Sequence, residues 1–304
     1  MTISHSLKNA LIEIVGEENL LIDELICNHT YTKLGGQADY FVMPTTIQEI
    51  QAIVKLADRE QIPFTLLGNG SNLIVRDGGI RGIVMNLKKL NKIARDHNTV
   101  IAQSGARIID TSYYALDQSL SGLEFACGIP GTVGGALYMN AGAYGGEIKD
   151  CLKEAVVIDL TGQLLTLAAD QLELDYRTSN IPDNGYIVIE ARFALVENDH
   201  AQIKAIMDDL TERRESKQPL EYPSCGSVFK RPPGYFAGQL IQDSQLQGKG
   251  IGGAEVSTKH AGFIVNKNSA TATDYIAVIE MVQKKVKENY GVILEREVRI
   301  IGED

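Results

Sequence analysis

Eight glycines fall between positions 122 and 146: Gly122, Gly128, Gly131, Gly134, Gly135, Gly142, Gly145 and Gly146. Each interior glycine costs a helix about 1 kcal/mol relative to alanine, so this density excludes an ordinary helix or strand. Glycine admits positive φ and lets another group approach the main chain closely. A flexible loop is the plain alternative. Against it, Ile129, Pro130, Val133, Leu137 and Tyr138 interrupt the run with residues that pack. A second run, Gly68-Asn69-Gly70-Ser71-Asn72, follows directly on the apolar segment Phe64–Leu67, which reads as a buried strand. Successive amides in such a turn form a nest for phosphate oxygens, to which the side chains of Ser71 and Asn72 add donors. Taken alone, this run reads equally well as a strand-to-strand turn.

Neither run fits a common nucleotide signature. GxxxxGK[ST] is absent, and Gly68-x-Gly70 lacks the third glycine of GxGxxG. Two phosphate-shaping loops about sixty residues apart point instead to a long cofactor whose pyrophosphate threads between subdomains, and FAD fits that description.

Periodicity outlines the scaffold. Leu7, Leu11, Ile14 and Val15 predict an amphipathic helical lead-in over 6–26, and a short strand is expected at Tyr40–Met43. Thr46 and Glu49 form a capping box for a helix over 46–58, whose buried stripe is Ile47, Ile50, Ile53, Val54 and Ala57. Short apolar runs at Ile83–Leu87, Val100–Ala102 and Val156–Leu160, a helical piece at Thr111–Gln118 and a series of strands over 156–196 predict a mixed α+β fold. A polar helix occupies 200–217, and Pro219 and Pro223 bracket a domain boundary. Beyond it a helix over 273–289 presents Ile276, Ile279, Val282 and Val286 on one face and stops near Gly291. The expected division is a domain over 1–200, with two subdomains split near 88–100, and a smaller α+β domain over 201–304.

Composition narrows the function. The net charge of −10 argues against a nucleic-acid partner, though local cations and loops bind anions inside an acidic protein. Four scattered cysteines without a CxxC pair read as a reduced intracellular chain. Five histidines without ligand spacing give no metal site. Met1–His5 begins no leader, and no segment has the length of a membrane span. The expected location is the cytoplasm.

The two glycine runs, Gly68–Asn72 and Gly128–Ala136, resemble the FAD-binding motifs of the vanillyl-alcohol oxidase/p-cresol methylhydroxylase flavoprotein fold. Four further segments occur in order: Tyr176–Ser179 (YRTS), Pro223–Lys230 (PSCGSVFK), Ser257–Asn266 (STKHAGFIVN) and Leu294–Arg299 (LEREVR). From about residue 28 to 302 the ordered set resembles the UDP-N-acetylenolpyruvoylglucosamine reductase family, MurB. The chain lacks the extra tyrosine-bearing substrate loop of one subtype and is similar to the shorter type II form. Cys225 stands where alanine is frequent in the family, Arg231 where asparagine is frequent, and Arg296 replaces a proline.

The resemblance implies non-covalent FAD held by Gly68, Asn69, Gly70, Ser71, Asn72, Gly128, Ile129, Pro130, Gly131, Thr132, Gly134, Gly135, Asn140, Ala141 and Gly142. It implies NADPH as hydride donor and UDP-N-acetylglucosamine enolpyruvate as second substrate, in peptidoglycan precursor synthesis. Arg177 would face the substrate carboxylate, Ser227 would give the proton, and Glu297 would be the acidic residue of the last strand, with a raised pKa. From YRTS alone a surface salt bridge is the simpler reading of Arg177. A turn serine beside Gly226 is the simpler reading of Ser227. Lys230, Lys259, Arg213 and Arg214 are candidates for the UDP pyrophosphate, or merely solvate a helix or strand. Tyr144 either packs on the flavin or joins the core. Two other functions share these loops: an oxidase of the same fold with covalently attached flavin, for which Cys127 adjoins the second run, and a non-catalytic nucleotide-sugar-binding module.

Overall fold

The computed structural model describes residues 5–304. Residues 1–4, part of the segment scanned for a leader, lie outside the described residues. The chain divides into two compact units that are discontinuous in sequence. The first comprises residues up to Ile22, Asp39–Asn69 and Gly82–Arg213; the second comprises Asp23–Ala38, Gly70–Arg81 and Arg214–Asp304.

In the first unit, helix α1 runs His5–Val15 and packs on helix α2, Ile47–Arg59. The predicted lead-in over 6–26 is too long. Gly16 takes φ +80° and ends the helix, a single 3-10 turn follows at Glu17–Asn19, and Leu20–Leu25 is a strand. The apolar triplet Leu20-Leu21-Ile22 continues a helical pattern in sequence, and the stop lies in the glycine. Thr46 caps α2 by accepting from the Glu49 N–H at 3.2 Å, while the Glu49 carboxylate reaches one residue further back to the Thr45 N–H at 2.7 Å. Ile50, Ile53, Val54, Leu56 and Ala57 bury the stripe of α2 against a four-stranded sheet. The strand order is Leu20–Leu25, Gln37–Val42, Ile80–Asn86, Phe64–Leu67. The last two strands are parallel, with Phe64 opposite Ile83.

A second sheet of the same unit is antiparallel throughout, in the order Leu164–Ala168, Leu152–Ile158, Ile187–Ala194, Thr99–Gln103, Ile93–Asp96. Helices α3 (Ile108–Asp117) and α4 (Val133–Tyr138) bury Ile108, Ala115, Val133, Ala136 and Leu137 in one core with Val100, Ala155, Ala191 and Phe193 of this sheet. Helix α5, His200–Lys217, is polar around most of its circumference and buries only Ile203, Met207 and Leu210.

The second unit is built on helix α7, Ala272–Tyr290, which follows the short helix α6, Ala237–Asp243. Thr271 and Asp274 form a reciprocal capping box at the start of α7, and Gly291 ends it with φ +70°. Tyr275, Val278, Ile279, Val282 and Val286 pack into a core with Val256, Ile264 and Leu294. The accompanying antiparallel sheet has the order Ser224–Ser227, Phe263–Asn266, Ala254–Val256, Gly250–Ile251. A parallel pair joins Arg299–Ile301 to Leu73–Val75. Glu297 therefore precedes the last strand, two residues short of its start, instead of lying on it as expected.

Candidate functional site

The two glycine runs meet. Asn69 Nδ2 donates to the Pro130 carbonyl at 2.7 Å, across 61 residues of sequence. A Cβ on Gly68 would lie 2.9 Å from Thr132 Oγ1, so any side chain there would push the runs apart. The Gly68 carbonyl accepts from Asn86 Nδ2 at 2.9 Å, which fixes the end of the strand Phe64–Leu67. Thr132 caps α4 by accepting from the Gly135 N–H at 3.2 Å. Gly134 is required by packing: its added Cβ would fall 2.2 Å from Ser104 Oγ.

Among the described residues, the amides of Gly128, Gly131 and Thr132 meet no acceptor. Backbone donors left over in a glycine turn are what a pyrophosphate requires, so this corner fits the diphosphate of FAD.

Asn140 is fully buried, and its side chain is spent inside the protein. Nδ2 donates to Glu147 Oε2 and to the Asp175 carbonyl at 3.0 Å, and Oδ1 accepts from the Lys149 N–H at 2.9 Å. Its part is to hold the loop that carries Ala141 and Gly142. The Gly142 carbonyl accepts from Arg177 Nη2 at 2.8 Å. Arg177 has φ +56°, a region that side-chain-bearing residues visit rarely, and its guanidinium lies 5.3 Å from the Tyr176 ring centre. A bridge between Asp175 and Thr178 closes the turn, and Ser179 Oγ donates to the Tyr138 carbonyl at 2.6 Å. Tyr144 is 47% exposed, which rules out the core reading. Cys127 is buried with Sγ turned toward α5, 3.7 Å from the Met207 carbonyl.

In the second unit, the residues that follow Ser227 pair with the segment that ends at Glu297. The segments 228–230 and 295–297 run antiparallel, with Phe229 opposite Arg296. The Glu297 N–H donates to the Val228 carbonyl at 2.8 Å and the Lys230 N–H to the Glu295 carbonyl at 2.9 Å. Asn72 joins this arrangement. Its Nδ2 donates to the Glu297 carbonyl at 3.4 Å, and its own carbonyl accepts from the Arg299 N–H at 3.2 Å. Gly70 takes φ +62°, and a Cβ there would lie 2.5 Å from the His29 carbonyl oxygen, so the turn that delivers Asn72 depends on glycine. Ser227 is exposed and Glu297 half-buried.

The four candidate phosphate cations are arranged differently. Lys230 Nζ pairs with Glu295 at 2.6 Å. Lys259 Nζ donates to the Glu215 carbonyl at 2.8 Å. Arg213 pairs with Asp209 one helical turn away at 2.8 Å, as a solvated helix face does. Arg214 is half-buried at the end of α5.

Two residues of this neighbourhood, His260 and Lys217, escape sequence reasoning. His260 Nδ1 accepts from the Gly262 N–H at 3.1 Å, and its ring stacks edge-on against Phe263 at 4.9 Å. A Cβ on Gly262 would lie 3.2 Å from that Nδ1 and 3.9 Å from Ser227 Oγ, so imidazole and hydroxyl flank the same glycine. Burial, then the charge of Lys217, holds the imidazole below its ordinary pKa. A lone histidine in STKHAGF carries no spacing signal that would reveal this.

Among the described residues no helix is long and apolar enough to cross a membrane, and no His, Cys, Asp and Glu cluster could hold a metal ion. Converging glycine loops in the first unit and a small α+β second unit are the frame of an FAD-dependent oxidoreductase of the vanillyl-alcohol oxidase/p-cresol methylhydroxylase fold, the class to which the family matches assign the chain. Residues 38–168 match the FAD binding domain family, and residues 218–301 match the family described as the C-terminal domain of UDP-N-acetylenolpyruvoylglucosamine reductase. The reductase of that name from Oceanobacillus iheyensis is 69% identical over 100% of this chain and 99% of its own length. That from Geobacillus kaustophilus is 65% identical over 97% of both chains. The crystal structure of UDP-N-acetylenolpyruvylglucosamine reductase (MurB) from Thermus caldophilus superposes with a TM-score of 0.79 at 32% identity, covering 91% of this chain and 97% of that one. The chain belongs to the UDP-N-acetylenolpyruvoylglucosamine reductase family.

Proposed function

We propose that this protein reduces the vinyl ether of UDP-N-acetylglucosamine enolpyruvate to UDP-N-acetylmuramate at the expense of NADPH, in the cytoplasm, as a step of peptidoglycan precursor synthesis. The observation that carries the reading is the match of residues 218–301, which hold Ser227 and Glu297 on neighbouring backbone segments, to the reductase's C-terminal domain. In the net reaction a hydride from NADPH adds to the terminal vinyl carbon, a proton adds to the neighbouring carbon, and NADP leaves. FAD, when bound, supplies the two-electron carrier between the two substrates.

The protein supplies binding and proton chemistry. The amides of Gly128, Gly131 and Thr132, which meet no acceptor within the protein, would hold the FAD diphosphate. The planar fork of Arg177 pairs with the substrate carboxylate, where negative charge grows as the hydride arrives. The backbone of Arg177 is fixed in advance by its tight turn and its side chain by the Gly142 carbonyl. The Ser227 Oγ–H bond breaks and the proton passes to the carbon beside the carboxylate; water restores the hydroxyl. A serine hydroxyl is a weak acid, but an enediolate is strongly basic, so the transfer runs downhill. Glu297 assists toward the same developing charge, either as a protonated donor or through a bridging donor. Lys230, Lys259, Arg213 and Arg214 are left to the UDP pyrophosphate, and Lys230 would first give up its pairing with Glu295.

Ser227→Ala tests this reading. NADPH should bleach the flavin band of the variant at the wild-type rate, while turnover with the enolpyruvyl substrate should fall by roughly 10²–10⁴. Equal loss in both halves would remove Ser227 from the role.

A further inference from the structure

The strand that ends at Ser227 is bulged. Ser224 faces Val265 and Ser227 faces Phe263, so Cys225 and Gly226 together oppose the single residue Ile264. A bulge of this kind re-aims the next side chain. Here Gly226 adopts φ +75° and the following serine emerges exposed.

Tyr275, the fourth residue of α7, lies beneath the bulge and is fully buried. Its hydroxyl touches both sides of the register break. It donates to the Ile264 carbonyl on one strand. On the other strand it lies 3.3 Å from Cys225 Sγ. The hydroxyl has one hydrogen, which goes to Ile264, so the thiol is the donor in the sulfur contact. Both groups stay protonated: burial pushes the Cys225 thiol up to about 12 and the Tyr275 phenol well above its ordinary value.

We infer that Tyr275 is a positioning residue for proton transfer: its hydroxyl, wedged between Ile264 and Cys225, holds open the bulge that points Ser227 at the reacting carbon. Tyr275 touches no reactant and acts through the strand. Without the hydroxyl, Ile264 and Cys225 lose a shared buried partner, the strands close toward regular pairing, and Ser227 turns away. The capping box of Thr271 with Asp274 sets the helix register that delivers the hydroxyl to this point.

The inference rests on the proposed reaction, and stepwise kinetics keep the two apart. Purified holoprotein is reduced anaerobically with NADPH, then mixed with UDP-N-acetylglucosamine enolpyruvate in H2O and in D2O. Wild-type flavin that fails to reoxidise refutes the reaction itself. If wild type reoxidises, Tyr275→Phe should bleach at the wild-type rate, reoxidise on the order of tenfold more slowly, and show a larger solvent isotope effect. Equal slowing of both halves, or no slowing, overturns the positioning role. Cys225→Ala keeps the Tyr275–Ile264 bond but removes the thiol contact, so it should show the same selective slowing of reoxidation in weaker form, a few-fold at most; a loss exceeding that of Tyr275→Phe would assign the effect to the thiol and overturn the inference. Gly226→Ala covers the case in which Tyr275→Phe does not fold. Its Cβ meets nothing within 4 Å, so it strains only the bulge, and it should reproduce the selective loss of reoxidation. Wild-type kinetics in that variant would refute the role of the bulge.

Discussion

Asp77 offers a prediction whose size follows from the structure. Its carboxylate accepts from the Ala272 N–H at 2.8 Å, the Thr273 N–H at 2.9 Å and Thr273 Oγ1 at 2.7 Å, all in the first turn of α7. Burial raises the group, but the Thr273 hydroxyl and the two amides outweigh it and hold the carboxyl below its ordinary value of 3.8. Loss of a side-chain cap costs about 1 kcal/mol, and loss of a negative charge at a helix N-terminus about 0.3–1 kcal/mol. Asp77→Ala should therefore destabilise by about 1–2 kcal/mol, which for a chain of this length lowers Tm by roughly 1.5–3 °C. Because the folded-state pKa is depressed, the contribution is complete above pH 3.8 and disappears as pH falls through the lower folded value. Thermal unfolding of both proteins, followed by far-ultraviolet circular dichroism, should show the full gap at pH 7 and a narrower one below pH 3.8. A gap of the same width at both pH values, or none at pH 7, would refute the capping argument.

Further outcomes follow from the same geometry. Gly70→Ala puts a Cβ 2.5 Å from the His29 carbonyl oxygen in a backbone of φ +62°; it should cost at least about 1–2 kcal/mol and release FAD on gel filtration. Thr132→Val strips the cap from α4 at a cost of about 1 kcal/mol, and flavin fluorescence should report weaker FAD retention. Arg177→Lys keeps the charge but loses the fork and the contact to the Gly142 carbonyl; steady-state assays should show a kcat/KM loss on the order of tenfold or more, chiefly with the enolpyruvyl substrate.

Much of this architecture is legible in sequence where a signal is local. Helix α2 and its Thr46 cap, the strand Phe64–Leu67 and helix α7 with Gly291 behind it follow from periodicity and end signals within a few residues of each other. What lies at long range is not legible. Nothing local shows that Asp23–Ala38 and Gly70–Arg81 cluster with the last ninety or so residues, because those contacts span up to 200 positions and more. The glycine runs announce that something approaches them, whereas the Asn69–Pro130 bond that joins them is visible only when folded. The bulge at Cys225-Gly226 is equally silent, since a register shift depends on the partner strand. Glu297 precedes its strand, and the run from Leu294 to Ile301 carries no glycine, proline or turn signal that marks where the strand begins. His260 and Lys217 were hidden for the same reason: each reaches the neighbourhood of Ser227 through folding, not through spacing.

The most direct test of the account is a single anaerobic turnover in D2O, with NADPH supplied in stoichiometric amount and the product examined by NMR. The account predicts loss and recovery of the flavin absorbance and a lactyl ether carrying deuterium at the carbon beside the carboxylate; label at the terminal carbon reports only exchange of the reduced flavin's N–H with solvent and does not bear on the proton step. Permanent bleaching with the enolpyruvyl ether unchanged, or a product with no deuterium at that carbon, would contradict it.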